Sequence, residues 1–149
     1  MKALLALLAL GAFTCSCASI PDTPLDQSDL GSYIVTSYQL PHEQRGAMPW
    51  AQRMVGKVFN FGPDRIIFPT EFGQPDCQHG GYRLTPRTTA YLSPFDLGEA
   101  GSYSVTDAGI EDRELLELWN FCISGAYLSL DRGKLYIPSR GALFILDRQ

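Results

Sequence analysis

The sequence lacks the devices by which small enzymes usually hold metals, phosphates or nucleophiles. It has two histidines, His42 and His79, far apart in the chain. There is no H-x-x-x-H and no pair of C-x-x-C motifs, so the ligand spacing of a zinc site is missing. The acidic residues Glu111, Asp112, Glu114 and Glu117 do not alternate with Asn and Gly as a calcium loop requires, and they read as a solvated face. Glycines fall at turns, with no phosphate loop and no G-x-S-x-G nucleophile elbow. No catalytic residue, metal or other cofactor is expected, and both histidines read as exposed loop residues.

Positive charge is also scarce. Twelve Lys and Arg face sixteen Asp and Glu, for a formal net charge of −4. The basic residues are scattered and form no track for phosphates, which argues against nucleic acid as a partner. No internal repeat or low-complexity tract occurs.

The N-terminus is distinctive. Met1-Lys2 precede an unbroken apolar run from Ala3 to Phe13, followed by Thr14-Cys15-Ser16-Cys17-Ala18. One positive charge, a short apolar core and small residues are the parts of a secretory signal, assigned to residues 1–18. The run is too short to cross a bilayer, which takes about 20 apolar residues. Two processing routes stay open. Ser16-Cys17-Ala18 fits cleavage after Ala18, whereas Ser16-Cys17, or Thr14-Cys15, resembles a bacterial lipoprotein box that would lipidate its cysteine, Cys17 in the first case, and attach the chain to a membrane. Residues 19–28, with Pro21 and Pro24, read as a flexible tether. The expected location is the periplasm or outer membrane.

Cleavage after Ala18 or lipidation at Cys17 leaves Cys77 and Cys122 as an isolated pair in an oxidising compartment, and only lipidation at Cys15 would leave an odd thiol. They are expected to form one disulfide closing a long loop. That bond removes the thiolate that a Cys77/His79 dyad would need, so an envelope hydrolase is the poorer alternative.

Residues 29–149 then form one domain of adequate size for a core. Gly31–Leu40 reads as a strand rich in Tyr, Ile, Val and Thr. Pro49–Gly56 reads as a short helix with Pro at its start and Gly past its end, Trp50 and Met54 sharing the buried side. Val58–Phe61 and Arg65–Phe68 flank Gly62-Pro63-Asp64 as a hairpin. Pro69–Gly81 reads as loop, Tyr82–Leu92 as a strand interrupted by Pro86, and Ser93–Gly109 as mostly irregular with a short strand near Tyr103–Thr106. Glu111–Ile123 reads as a polar turn entering a strand. Ala126–Leu130, Lys134–Ile137 and Ala142–Leu146 form a three-stranded meander with a glycine in each gap. The count predicts a mainly β fold: a small antiparallel barrel of about seven or eight strands, with one helix. Sequence alone leaves open whether such a barrel is filled by its aromatic side chains or keeps a cup for a ligand.

The runs Cys122-Ile123-Ser124-Gly125-Ala126-Tyr127 and Tyr136-Ile137-Pro138-Ser139-Arg140-Gly141-Ala142 resemble the signature of the membrane-associated inhibitors of C-type lysozyme. Those are small exported barrels, often lipoproteins, that project polar and basic groups into the lysozyme cleft. The resemblance implies an inhibitory surface of Ser124, Tyr127 and Arg140, with Arg140 where the family has lysine. It covers about twenty residues, and Ala126-Tyr127 lacks the residue that separates Ala from Tyr in the family. The expectation is therefore an exported, non-enzymatic envelope protein that binds a partner protein or an apolar ligand, with lysozyme inhibition as the sharper alternative.

Overall fold

The structure is a computed structural model that describes residues 31–40, 48–88, 110, 114–123 and 125–149, together with the short strands at 23–24, 95–96 and 102–103. Its strands are β1 (Thr23–Pro24), β2 (Ser32–Gln39), β3 (Val58–Phe61), β4 (Arg65–Ile67), β5 (Cys77–Gln78), β6 (Arg83–Thr88), β7 (Phe95–Asp96), β8 (Ser102–Tyr103), β9 (Glu114–Trp119), β10 (Ala126–Ser129), β11 (Lys134–Ser139) and β12 (Ala142–Arg148). Among the described residues, one helix, α1 (Pro49–Met54), lies between β2 and β3, and one 3-10 turn, Thr70–Phe72, follows β4. β7 and β8 pair only with each other.

Ten strands form one antiparallel sheet in the order β1-β6-β9-β10-β11-β12-β2-β3-β4-β5. β5 and β6 are consecutive in the chain, yet β5 ends one side of this order and β6 lies second from the other, with no ladder between them. The expected barrel of seven or eight strands is thus corrected to a curled half-barrel that does not close. The reason lies in the chain at that junction. β5 is only two residues long and runs into Gly80-Gly81, while Arg83 and Leu84 of β6 already pair with Pro24 and Thr23 of β1. The stretch read as a tether therefore lays two residues along the sheet edge.

Alternation decides which side chains enter the core. Leu84, Leu116, Leu118, Ala126, Leu128, Leu135, Ile137, Phe144, Leu146, Tyr33, Val35, Phe59, Phe61 and Ile66 are all buried in it. The bulge between Ile145 and Leu146 opposite β2 leaves Thr36 unpaired, and Thr36 Oγ1 donates to the Ile145 carbonyl at 3.1 Å. This extra residue keeps Tyr38 on the core side, where its ring meets Phe144 at 6.4 Å. The interior is filled by aromatic rings. Phe59 packs edge-on against Phe68 and Phe72 with centroids 6.0 and 5.2 Å apart, and Phe68 stacks on Phe72 at 5.4 Å.

The expected hairpin at Val58–Phe68 and the helix at Pro49 are both present, the helix stopped by Gly56 at φ +83°. Met54 is fully buried and Trp50 half-buried, its ring 5.3 Å from Phe144. β11 runs two residues further than the sequence implied, through Pro138 to Ser139, so the last gap is only the two-residue turn Arg140-Gly141. Pro138 is tolerated there because β10 pairs with β11 only as far as Tyr136, leaving no ladder bond for the missing N–H to break. Residues 89–92 of the interrupted strand, most of 93–109 and residues 111–113 lie outside the described residues.

Candidate functional site

β9 presents Leu116 and Leu118 to the core and Leu115, Glu117 and Trp119 to the other face. Asn120 then ends the strand. Its Oδ1 accepts the backbone N–H groups of Cys122 and Ile123, each at 2.8 Å, and its own N–H donates to the Ile123 carbonyl at 2.9 Å. An Asn side chain that takes up two following amides makes a tight, self-contained turn. The Cys122 carbonyl is held in addition by Gln74 Nε2 at 3.2 Å.

Cys122 is joined to Cys77 by the expected disulfide, with the Cα atoms 5.8 Å apart. Cys77 belongs to β5, at one end of the sheet order, and Cys122 follows β9, close to the other end. The bond therefore ties together the two sides that no strand ladder joins. Tyr82 reinforces the same seam. Its hydroxyl donates to the Gly62 carbonyl at 2.9 Å, and its ring meets Phe61 at 6.5 Å and His79 at 4.3 Å. Burial pushes the Tyr82 phenol strongly upward, so it stays protonated and able to donate.

The consequence is a braced tip. Phe121 is 88 % exposed and Trp119 is 49 % exposed, on either side of a buried asparagine. The Arg83 guanidinium lies 5.8 Å from the centre of the Trp119 ring. The register places this loop at the same sheet end as the turn Arg140-Gly141, since both adjoin the start of β10 and the end of β11. Arg140 covers Trp50 at 5.8 Å, and a Cβ on Gly73 would stand 3.2 Å from Arg140 Nη2. Gly73 neighbours Gln74, which holds Cys122. One surface thus runs from Trp50 through Arg140, Gly73 and Gln74 to Phe121.

The residues singled out by sequence are distributed as follows. Cys77 and Cys122 are bonded to each other, so Cys77 and His79 form no dyad. His79 is buried, against the expectation of an exposed loop histidine, because Tyr82 and the Asp64 turn enclose it; its backbone N–H donates to the Asp64 carbonyl at 2.8 Å. Its Nδ1 accepts the Gly81 N–H at 3.0 Å, and burial lowers its pKa. Tyr127 lies on β10 opposite Glu117 and Tyr136, on the face away from the core. Burial, with the nearby Glu117 carboxylate, raises its phenol pKa, partly opposed by Arg87. Arg140 is exposed in its turn at φ +46°. Ser124 and Cys17 lie outside the described residues. Glu117 is paired with Arg87 at 2.7 Å, so that member of the acidic cluster is a structural partner.

In the sequence, Asn120 and Phe121 continue the alternation of the preceding strand, so neither stands out as a turn or surface residue. The signal available was Asn120 itself, a residue disfavoured in strands and suited to turns. Among the described residues no helix is long and apolar enough to cross a membrane, and no group of three metal-ligating side chains converges. Comparison with protein-family models, curated proteins and solved structures gives no match for this chain.

Proposed function

We propose that the chain is an exported, non-enzymatic binding protein of the cell envelope, and that it takes hold of a partner protein through the tip formed by Trp119 and Phe121. The observation that carries this reading is Phe121: a large apolar ring, 88 % exposed, on a loop fixed by Asn120 and the disulfide. Exposed aromatics on rigid supports lose little conformational freedom on binding, which is why they serve as interface anchors. The core, filled by Phe59, Phe68, Phe72 and Phe144, favours a protein partner over an apolar ligand held inside. A photo-crosslinking residue placed at position 121 in the host should give a discrete adduct. The same residue at position 130, an exposed site in the turn at the opposite sheet end, should give none. Equal adducts at both sites, or none at 121, would end this reading.

Arg140 favours a second reading, inhibition of C-type lysozyme. It is an exposed guanidinium with no carboxylate partner among the described residues, and the lysozyme cleft carries two catalytic carboxylates. The protein should then stop C-type lysozyme from clearing a cell-wall suspension, and Arg140→Ala should restore clearing. Unimpeded lysis in the presence of the unaltered protein disposes of this reading.

A further inference from the structure

The chain carries more carboxylates than cations, and four of its described cations sit beside one. Lys57 pairs with Glu71, Arg65 with Asp76 and Lys134 with Asp147, each at 2.6 Å, and Arg87 pairs with Glu117 at 2.7 Å. Two arginines depart from this pattern. Arg53 and Arg140 have no carboxylate partner among the described residues, and both belong to the neighbourhood of Trp50. Arg140 lies over the Trp50 ring, and Arg53 follows Trp50 by three positions on α1, a spacing that sets two side chains on one helix face.

Arg140 is also held in a costly backbone state. It occupies the first position of a two-residue hairpin turn, with φ +46° followed by Gly141 at φ +81°. Such turns favour Asn, Asp or Gly at that position, because other side chains crowd the backbone at positive φ. A glycine at position 73, itself at φ +72°, leaves the space into which the guanidinium folds. The guanidinium carbon lies over the Trp50 ring, 5.8 Å from its centre. A guanidinium over an aromatic ring, with no carboxylate beside it among the described residues, can meet a carboxylate through two parallel N–H groups.

We infer that the Trp50, Arg53 and Arg140 surface recognises an acidic segment of the partner, with carboxylates set to meet the two guanidinium groups. This rests on the reading that this sheet end is the binding surface, and it adds the chemistry of what is bound there. Phe121 supplies apolar contact on one side of the surface, and the arginines supply charge selection on the other.

Hexaglutamate is the probe that tests it, with hexalysine as control. Added to the isotope-labelled protein at low salt, hexaglutamate should shift the Trp50 indole N–H and the Arg140 side-chain N–H resonances, and hexalysine should not. Arg140→Gln and Arg53→Gln should each weaken binding about threefold, the size expected for an exposed charge pair, and added salt should abolish it. Arg140→Lys should recover only part of that loss, because an ammonium cannot offer two parallel N–H groups, and Leu130→Ser, at the opposite sheet end, should leave the affinity unchanged. Absence of shifts, or shifts spread equally over Arg65 and Arg87, overturns the proposal. So does binding to phosphatidylglycerol vesicles without binding to hexaglutamate, which would make this a lipid-headgroup surface. If hexaglutamate binds as described but the crosslink at position 121 fails, the acidic preference stands and the Phe121 tip is withdrawn.

Discussion

Asn120 and Cys122 act on one loop from two sides. The asparagine Oδ1 accepts the Cys122 N–H at 2.8 Å, while the Cys122 sulfur is bonded to Cys77 across the open seam of the sheet. The same residue is thus tied to the strand it has just left and to the far end of the sheet. A loop so held cannot fold its aromatic residue back onto the protein. That explains how Phe121 stays in solvent next to a core that would otherwise attract it.

Asn120→Ala should expose this arrangement. It removes the acceptor for two backbone amides in a buried position, and each buried donor left without a partner costs on the order of 1–3 kcal/mol. A loss of about 2 kcal/mol in urea unfolding is expected. Faster hydrogen exchange at Cys122 and Ile123 should accompany it, with the amides of β12 unchanged. Wild-type stability together with unaltered exchange at those two amides would show that the disulfide alone holds the loop.

Removing the disulfide should cost more. Cys77 and Cys122 are 45 residues apart, and cross-linking a loop of that length stabilises by about 4 kcal/mol in the chain-entropy model. The double variant Cys77→Ser, Cys122→Ser should lower the thermal midpoint by ~15 °C for a domain of this size. The effect should be largest on β5 and the residues around Tyr82, where no ladder joins the two sides. A drop of only a degree or two would mean that the Tyr82 and Gln74 contacts are sufficient to close the seam.

His79 makes that seam sensitive to acid. Its Nδ1 is an acceptor for the Gly81 N–H, and its Nε2 has no hydrogen-bond partner in the buried space it occupies. Protonating Nδ1 would set two donors face to face. Burial is the main cause of the lowered pKa, opposed by the negative charge of Asp64. The sign follows directly. A histidine whose folded pKa is depressed binds a proton more readily when unfolded, so its contribution is complete above about pH 6.5 and is lost as the pH falls through the window below that value. Urea midpoints measured from pH 7.5 to 5 should decline in the natural protein and stay flatter in His79→Asn. Parallel curves for the two proteins would assign the decline elsewhere.

Much of this architecture was legible in the residues. The strand at Gly31–Leu40, the Gly62-Pro63-Asp64 hairpin, the proline-started helix and the C-terminal meander follow from local patterns that tertiary structure did not override. The disulfide followed from parity. Closure could not be read, because it depends on how far β5 extends and on which segment reaches the edge of β6. Both are long-range outcomes, and two-residue strands leave no periodic signal. The candidate surface was half legible. Arg140 drew attention through its neighbours in sequence, whereas its position over Trp50 depends on Gly73, 67 positions earlier, leaving room for it. Phe121 was hidden by an alternation that continued past the true end of the strand.

Phe121 offers the cleanest separation of folding from function. A ring 88 % exposed has almost no apolar contact to lose, so Phe121→Ser should change the unfolding free energy by no more than about 0.5 kcal/mol. A buried ring behaves differently: Phe59→Ala, at the centre of the aromatic cluster, should cost about 3–5 kcal/mol. If the tip serves binding, Phe121→Ser should abolish partner capture by a crosslinker placed at the neighbouring position 119, while circular dichroism and the urea midpoint stay at their natural values. If the ring instead stabilises the fold through contacts made in solution, the midpoint will fall along with capture. The two measurements together decide whether this residue is held out for a partner or belongs to the domain.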